Sequence, residues 1–402
     1  MKHLRDFALR SGQAHRLFRN DVSPDQLKAF KAASLGVEDG DKGSYHYKYS
    51  LTDLRQLRRS LAKKNGAIRP AGTLPPLYVI RIARGGTGKT TKSANIGAIE
   101  AQMGFRTLLI DGDPQASLTA LNGIDPNTAA DIITIGHMMD RTENGKKPND
   151  DFVRSGIRNV YENGMLDIIC SDITLADFDA RMAGGTAPER RFMNFLNAHK
   201  NVFCEYDLII VDCAPGSTLL SYNFMFAAKR VLAPVMLEGQ SLKAIELLLS
   251  NINELNEIDN GGRLIELIAN GFHPSYKHCR DSHFTLKAAH GTDPVTGEPL
   301  FPGCVLNDVV IPHYAGFGRQ VDVHNPDECK PLVEKEPNSD ASLALIELTL
   351  SLNEKYDVRV AQEAMEAAPI LDLPEPITMP AKASAKASKA KAQAKQMGGQ
   401  HV

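Results

Sequence analysis

The feature that most constrains this chain is the run ARGGTGKTT at residues 83–91, which comes two residues after the apolar segment Leu77–Ile80. Glycines at this density predict a tight loop after a buried strand, because glycine lets the backbone turn sharply and present N–H groups to phosphate oxygens. A phosphate-binding loop places its lysine on the β- and γ-phosphates and its hydroxyl on Mg²⁺, which predicts these roles for Lys89 and Thr90. A helix that begins here would add the positive end of its dipole. Ala83 replaces the glycine that opens the strict pattern, but the order of strand, loop and helix predicts a nucleotide site.

Two further apolar segments end in carboxylates. Residues 106–110 lead into Asp111 and Asp113, and residues 206–211 lead into Asp212. Continuous apolar runs separated by helical patterns predict central strands of a parallel sheet, and such sheets bind ligands at the carboxyl ends of their strands. Because Mg²⁺ on a triphosphate keeps several waters, one or two carboxylates suffice nearby, and Asp212 suits that role. We therefore expect an α/β fold of the P-loop NTPase type with a mostly parallel central sheet.

With these motifs in place, the chain resembles the ParA-type ATPases, which have a deviant phosphate-binding loop and segregate plasmids and chromosomes. The family pattern Lys-Gly-Gly-x-Gly-Lys-Thr-Thr is matched by residues 84–91, and its Asp-x-Asp-Pro-Gln motif by residues 111–115. The Asp-x-x-Pro motif is matched by residues 212–215, and residues 232–235 and 310–312 are weaker matches. The resemblance spans Leu77 to Glu354.

The resemblance implies ATP and Mg²⁺ as ligands and assigns roles by position. Asp113 would orient the attacking water, while Asp111 and Asp212 would join Thr90 in the Mg²⁺ shell. This division of roles fits phosphoryl transfer, in which positioning and charge neutralisation supply most of the catalysis. Nucleotide contacts are implied for Arg84, Gly85, Gly86, Thr87, Gly88, Lys89, Thr90, Thr91 and Pro234.

Arg84 is a departure from the family pattern. The family has at this position a lysine that reaches across a nucleotide-sandwich dimer to the partner's phosphates. Arginine keeps the charge and can bind phosphate through two parallel hydrogen bonds, so a catalytic role across the dimer is physically possible. The alternative is that Arg84 faces solvent and the contact across the dimer is lost.

Charge is concentrated at the two ends of the 402-residue chain. Residues 1–66 hold 14 Lys and Arg against 7 Asp and Glu, and residues 377–402 hold 5 Lys and no acid, although the whole chain has a net charge of −2. Basic ends around an acidic centre indicate a polyanion bound by the flanks. The six cysteines are scattered without a Cys-x-x-Cys pair, which fits a reducing cytosol. No stretch approaches the ~20 apolar residues of a membrane span, so we expect a soluble cytoplasmic, nucleoid-associated protein without a membrane partner.

The segment before Leu77 is predicted to be helical. Ser23-Pro24 is typical of a helix start, Tyr45, Tyr47 and Tyr49 alternate as in a short strand, and a capped helix follows from Ser50 to Lys64. This order suggests a winged helix-turn-helix whose exposed basic face would contact operator DNA, as in the ParA relatives with long N-terminal extensions. The alternative is a basic helix packed on the ATPase. The predicted basic face consists of Arg55, Arg58, Arg59, Lys63 and Lys64.

These patterns divide the chain into an N-terminal DNA-binding region (1–72), an ATPase domain (73–356) and a disordered Pro-rich, then Ala/Lys-rich tail (357–402). Lysines in the tail would attract DNA without sequence preference, or would only keep the chain soluble. Arg319 in the ATPase domain is a further candidate for a DNA contact.

The resemblance implies an ATPase that dimerises on ATP, binds DNA without sequence preference, and is reset when a centromere-binding partner protein stimulates hydrolysis. The weak expected turnover leaves an alternative: a transcriptional repressor that uses nucleotide as a ligand. A membrane-positioning ATPase and a P-loop enzyme acting on a small molecule are further alternatives, and neither has a dedicated motif here.

Overall fold

The computed structural model describes residues 4–5, 7–35, 48–127, 129, 131–143, 149–182, 187–238, 241–289, 303–321, 328–366 and 370. The strands are β1 (Ala8–Arg10), β2 (Lys48–Ser50), β3 (Ile68–Arg69), β4 (Leu77–Ile80), β5 (Thr107–Gly112), β6 (Ile157–Asn159), β7 (Leu166–Ile169), β8 (Leu208–Cys213), β9 (Arg230–Met236), β10 (Leu264–Phe272), β11 (Cys304–Leu306), β12 (Ile311–Pro312) and β13 (Val360–Ala361).

The α-helices are α1 (Ser11–Leu17), α2 (Pro24–Leu35), α3 (Leu51–Asn65), α4 (Lys89–Gln102), α5 (Ser117–Leu121), α6 (Ile135–Glu143), α7 (Asp150–Gly156), α8 (Thr174–Arg181), α9 (Arg191–Ala198), α10 (Lys200–Phe203), α11 (Leu219–Ala227), α12 (Ser241–Asp259), α13 (Lys277–Ala289), α14 (Leu332–Lys335), α15 (Asp340–Tyr356) and α16 (Gln362–Glu366). Short 3₁₀ turns span Glu162–Gly164, Pro188–Arg190 and Ala315–Arg319. None of the helices in the described ranges combines the length and the apolarity that crossing a bilayer requires.

Nine of these strands form one sheet in the order β11-β10-β9-β4-β8-β5-β7-β6, with β12 paired to β10. Every pairing in it is parallel except that of β6 with β7. The predicted P-loop NTPase fold with a mostly parallel sheet is confirmed. Strand β4 lies between β8 and β9. The next strand along the chain, β5, lies on the β8 side, and β9 and β10 are added on the other side. Open sheets bind ligands in the crevice at such a change of direction.

The central strands are buried along their whole length. All six residues of β5 and all six of β8 are buried, as expected for strands covered by helices on both faces. Helix α4 packs closely on one face: a Cβ at Gly97 would lie 2.7 Å from Leu109 of β5. This close packing fixes the start of α4 beside the ends of β4 and β8.

The N-terminal helices share a core with the domain that contains the nine-stranded sheet. Helix α3 begins at the predicted cap, where Ser50 accepts a hydrogen bond from the Asp53 N–H, and ends at Gly66 with a φ of 66°. Its residues Leu54 and Leu57 belong to the same apolar cluster as Ile96 of α4. A boundary near residue 72 therefore does not separate two cores. Tyr49 is buried in β2, which pairs antiparallel with β1, whereas Tyr45 and Tyr47 lie outside the described residues.

The prediction that α3 presents an exposed arginine face is wrong. Arg58 and Arg59 are each 7% exposed, and Arg55 forms an ion pair with the buried Asp207. The arginines point inward because their guanidinium groups find acceptors on the ATPase and on the terminal segments, while Lys63 and Lys64 are exposed. The structure therefore favours the alternative of a basic helix packed on the ATPase. Further partners are the Asp21 carboxylate and the Met103 carbonyl for Arg58, and the Met365 carbonyl for Arg59.

Ordered structure continues beyond residue 357. Strand β13 pairs in parallel with β3, and α16 follows it directly. The predicted start of the tail is therefore too early, because these residues bind a strand from the N-terminal region. The Ala/Lys-rich segment 371–402 lies outside the described residues.

Candidate nucleotide site

The run at residues 83–91 forms the predicted loop between β4 and α4. Gly86 and Gly88 have φ angles of 70° and 82°, which only glycine adopts without strain. Gly85 and Gly86 have nothing within 4 Å of an added Cβ, so their backbone faces open space. The loop borders a cavity of about 560 Å³ at the carboxyl edge of the sheet, and residues 85–91 all line it.

Lys89 lies at the first position of α4 and is 7% exposed. Its Nζ donates a hydrogen bond to the main-chain oxygen of Arg84 at 2.8 Å. Burial lowers the pKa of Lys89, the Asp212 carboxylate opposes that shift, and the charge of Arg81 adds to it. A lysine held by a single carbonyl can turn to a more anionic acceptor when one arrives.

Asp212 at the end of β8 binds the start of α4. Its Oδ2 accepts from the Thr90 hydroxyl at 2.6 Å, and its Oδ1 accepts from the Ser93 hydroxyl at 3.1 Å. Burial raises the pKa of Asp212 to about 8, and the neighbouring Asp111 contributes to the shift. The structure thus brings together Thr90 and Asp212, the two predicted Mg²⁺-shell residues. Ser93 was missed by sequence reasoning, although its place one helical turn after Lys89 is a usable signal.

Asp111 and Asp113 behave differently. Asp111 is buried beside Asp212 in the strand register, but its Oδ2 accepts from the Thr119 N–H at 2.8 Å and from the Thr119 hydroxyl at 2.7 Å. Burial raises the pKa of Asp111 to about 6. Asp111 is not among the cavity-lining residues, whereas Asp113 lines the cavity and accepts from the Gln115 N–H. A direct Mg²⁺ contact by Asp111 therefore stays a prediction, and its observed contacts hold the loop that carries Asp113.

Pro234 does not reach the cavity. It is buried within β9, opposite Ile268 of β10. Met236, two residues further along the strand, is the β9 residue that lines the cavity. The predicted nucleotide contact of Pro234 stays a prediction, because β9 continues past this residue before Met236 lines the cavity.

The cavity lining also contains residues that the sequence did not indicate. Asn270 of β10 donates from Nδ2 to the Thr87 carbonyl at 2.8 Å, and its Oδ1 accepts from Lys92. Lys92 is buried and lies 5.0 Å from the centre of the Phe317 ring. A contact formed by β10 with α4 and the loop depends on sheet order, which a single sequence does not display.

Arg84 lies at the surface of the loop. Its side chain is 29% exposed and its Nη2 is 2.6 Å from Glu238 Oε2. Arg84 is therefore paired within its own subunit at a partly exposed position, and both its reach towards a second subunit and the alternative that this contact is lost stay predictions. Arg319 is more exposed and pairs with Glu336 at 3.0 Å.

The residues present fit a nucleotide with Mg²⁺. The open glycine backbone, the start of α4 and Lys89 form a cradle for phosphates, and a hydroxyl with one carboxylate supplies oxygen ligands of the kind Mg²⁺ takes. Within the described ranges, no group of three His, Cys, Asp or Glu residues could hold a metal alone. Mg²⁺ here would depend on the phosphates for its remaining ligands.

Comparison with known proteins identifies the family. A sequence model of an AAA domain matches residues 78–262. The sporulation initiation inhibitor protein Soj of Bacillus subtilis is 31% identical over 190 residues, covering 47% of this chain and 70% of Soj.

Two solved structures share the fold. The McdA–ATP complex of Cyanothece aligns with a TM-score of 0.53 at 17% identity, over 69% of this chain and 97% of McdA. Cobyrinic acid a,c-diamide synthase of Mycobacterium smegmatis, with bound ADP and magnesium, aligns with a TM-score of 0.52 at 19% identity, over 72% of this chain and 98% of the synthase. At such identities these likenesses show the fold alone. On the strength of the Soj alignment, the chain belongs to the ParA-type family of partition ATPases.

Proposed function

We propose that this protein is a DNA-partition ATPase that binds ATP and Mg²⁺ in the cavity at the carboxyl edge of the sheet. The observation that carries the proposal is the convergence of Lys89, the Thr90–Asp212 pair and Asp113 around one cavity. Soj and the chromosome partitioning protein ParA of Caulobacter vibrioides are relatives that support a partition role. A protein of this kind would act in the cytoplasm on the nucleoid.

The side chains divide the work of phosphoryl transfer. With nucleotide bound, Lys89 would donate to a phosphate oxygen in place of the Arg84 carbonyl, and Thr90 and Asp212 would hold Mg²⁺. Mg²⁺, when bound, neutralises charge that develops on the phosphates. Asp113 is half-buried at the cavity wall, where a carboxylate can accept a hydrogen bond from a water and orient it.

Arg84 is the candidate for contact across an ATP-dependent homodimer. It lies at the rim of the site, and its present partner Glu238 is 49% exposed. Ion pairs this exposed contribute about 0–1 kcal/mol, so a phosphate of a second subunit can replace Glu238. Loss of the γ-phosphate on hydrolysis would then weaken the dimer.

DNA contact is proposed for surfaces other than α3. With the arginines of α3 turned inward, Arg319 and the lysines of the tail are the candidates that we favour for contact with a phosphate backbone, although Lys63 and Lys64 at the end of α3 are also exposed. These contacts would form without sequence preference. A centromere-binding partner protein that stimulates hydrolysis follows from the family and has no residue assigned here.

The test is size-exclusion chromatography and DNA retardation with ADP, with ATP and with a non-hydrolysable analogue. We expect ATP and the analogue to produce a dimer with raised DNA affinity, and ADP to produce neither. Lys89→Ala is the control for nucleotide dependence. The proposal would be contradicted if the oligomeric state and the DNA affinity were the same with and without ATP.

A nucleotide-liganded repressor is the second candidate, favoured by one observation: Arg84 replaces the family lysine and is paired with Glu238. Phosphate release separates the two functions. Release above that of Lys89→Ala, and stimulated by DNA, supports the ATPase, whereas no release above this control together with ATP-dependent DNA binding supports the repressor.

A further inference from the structure

Arg81 is a buried arginine that neither the motifs nor the cavity lining includes. It is the first residue after β4 and has an exposed fraction of 0%. Its main-chain N–H donates to the Leu232 carbonyl at 2.9 Å, so the backbone is fixed between β4 and β9. The long side chain must therefore place its guanidinium group inside the protein.

The guanidinium group has few partners for a charge so deeply buried. Nη1 is 3.4 Å from the Pro215 carbonyl, a long hydrogen bond. Nε and Nη2 have no hydrogen-bond partner among the residues that the structure describes. Within the same residues, Arg81 has no carboxylate at ion-pair distance; the nearby Asp212 is engaged by Thr90 and Ser93.

The surroundings of Arg81 do not neutralise it either. Its electrostatic neighbours are Cys213 and Tyr222. Neither side chain is a carboxylate, so neither supplies a fixed negative charge to the guanidinium group. Arg81 is therefore a buried cation without an anionic partner among the residues that the structure describes.

Arg81 lies behind the phosphate end of the cavity. Pro215, whose carbonyl accepts from Arg81, lines the cavity, and Ile80, the residue before Arg81, lies opposite Asp212 in the strand register. Two buried cations next to an open glycine cradle repel each other until an anion enters between or beside them. The glycine backbone of the loop can bind such an anion, a phosphate group.

We infer that Arg81 is a positioning residue that makes the site selective for a nucleoside triphosphate over a diphosphate, by balancing the charge of the terminal phosphate from behind Lys89 and Pro215. The inference rests on the proposed nucleotide site. An unpaired buried charge destabilises a fold, and arginine cannot lose its proton to escape that cost. The charge therefore weakens the empty protein and strengthens the triphosphate complex.

The test compares Arg81→Met with the unaltered protein by thermal unfolding and by calorimetric titration with ATP and ADP in the presence of Mg²⁺. We expect the empty variant to melt at the same temperature or about 2–5 °C higher, because the unpaired charge is gone. ATP affinity should fall by about tenfold or more, as for loss of a partner to a charged group, and ADP affinity by clearly less. Arg81→Lys should recover part of the ATP affinity.

The matched control is Arg69→Met. Arg69 is also buried, but it donates to the carbonyls of Thr73, Cys204, Tyr206 and Asp207, so its loss should lower the melting temperature and leave the ratio of ATP to ADP affinity unchanged. A lower melting temperature of Arg81→Met with an unchanged ratio would assign Arg81 a structural role and overturn the inference. If the unaltered protein binds no ATP, the proposed site fails; if it binds ATP and Arg81→Met binds equally well, the inference alone fails.

Discussion

The buried cations at the two edges of the central sheet differ in how many partners they have. At the amino edge, Asp207 accepts hydrogen bonds from Arg55, from the Arg106 N–H and from the Ala361 N–H, and it is fully buried. At the carboxyl edge, Lys89 is held by a single carbonyl and Arg81 by one long contact. Buried charges with a full set of partners hold a structure together, whereas buried charges with too few partners stand ready for a ligand.

The amino edge also explains why both terminal regions join the ATPase. Asp207 contacts α3 through Arg55 and β13 through Ala361, and Arg69 of β3 donates to three carbonyls just before β8. Segments far apart in sequence therefore meet at the start of the strand that ends in Asp212. The following predictions test this contrast between the edges.

Asp207→Ala should produce the largest loss of stability. The substitution leaves Arg55 buried without its carboxylate and removes acceptors from two N–H groups, and breaking a buried pair in this way costs about 3–5 kcal/mol. Urea unfolding of the nucleotide-free protein measures the effect. Glu205→Gln is the control, because Glu205 pairs with Arg154 at the surface and its loss should cost about 0–1 kcal/mol. Equal losses of unfolding free energy for the two substitutions would show that the buried Asp207 contributes no more than a surface carboxylate.

Lys89→Met should give the opposite result at the carboxyl edge. The empty protein should unfold at nearly the same urea concentration, because the only bond lost is one donated to a carbonyl. Stabilisation by ATP, about 2.7 kcal/mol at a concentration of 100 Kd, should disappear. Thermal unfolding with and without MgATP measures both quantities. A large loss of stability in the empty variant would show that Lys89 is structural.

The sequence predicts more of the residues at the carboxyl edge than of the contacts at the amino edge. Lys89, Thr90, Asp113 and Asp212 could be named as candidates because glycine spacing and strand ends are local patterns. The structure places Lys89, Thr90 and Asp113 in the lining of one cavity, with Asp212 hydrogen-bonded to Thr90. Pro234 is buried in β9 outside the cavity lining, and a motif does not show where a strand reaches the sheet edge.

Contacts at the amino edge have no local pattern. Basic residues at helical spacing in α3 look the same in sequence whether they face water or buried carbonyls, so Arg58 was assigned to the wrong surface. Arg81 and Asn270 depend on which strands are neighbours, and strand order is a property of the whole fold. Local chemistry was therefore predictable, and long-range pairing was not.

Glu100 near the end of α4 is an exception at the amino edge, and it predicts pH dependence. It is fully buried, its Oε2 accepts from Asn353 at 3.1 Å, and its Oε1 has no partner among the described residues. Burial raises the pKa of Glu100 from its ordinary value of 4.5 to about 8. Because the native state then keeps a proton that the unfolded state releases, the free energy of unfolding should fall as pH rises from about 5 towards 8.

Glu100→Gln keeps the acceptor for Asn353 and cannot ionise, so it should remove this part of the pH dependence. The slope for one proton is about 1.4 kcal/mol per pH unit, so the variant should lose about 2 kcal/mol less than the unaltered protein between pH 5.5 and pH 7. Urea unfolding at several pH values checks this result. Parallel pH profiles of the two proteins would show that Glu100 is ionised in the native state, stabilised by the nearby Arg58.

Glu238→Gln should have the smallest effect on stability and the most selective effect on assembly. The Arg84–Glu238 pair is partly exposed, so its loss should change the free energy of unfolding by less than about 1 kcal/mol. A carboxylate that competes with phosphate for Arg84 weakens any contact that Arg84 makes across a dimer, so the variant should dimerise at a lower ATP concentration. Analytical ultracentrifugation over a range of ATP concentrations measures that midpoint, and Arg84→Gln should shift it in the opposite direction. If both substitutions leave the midpoint unchanged, Arg84 does not contribute to the dimer. Lys89 and Arg81 would then act on the nucleotide within one subunit.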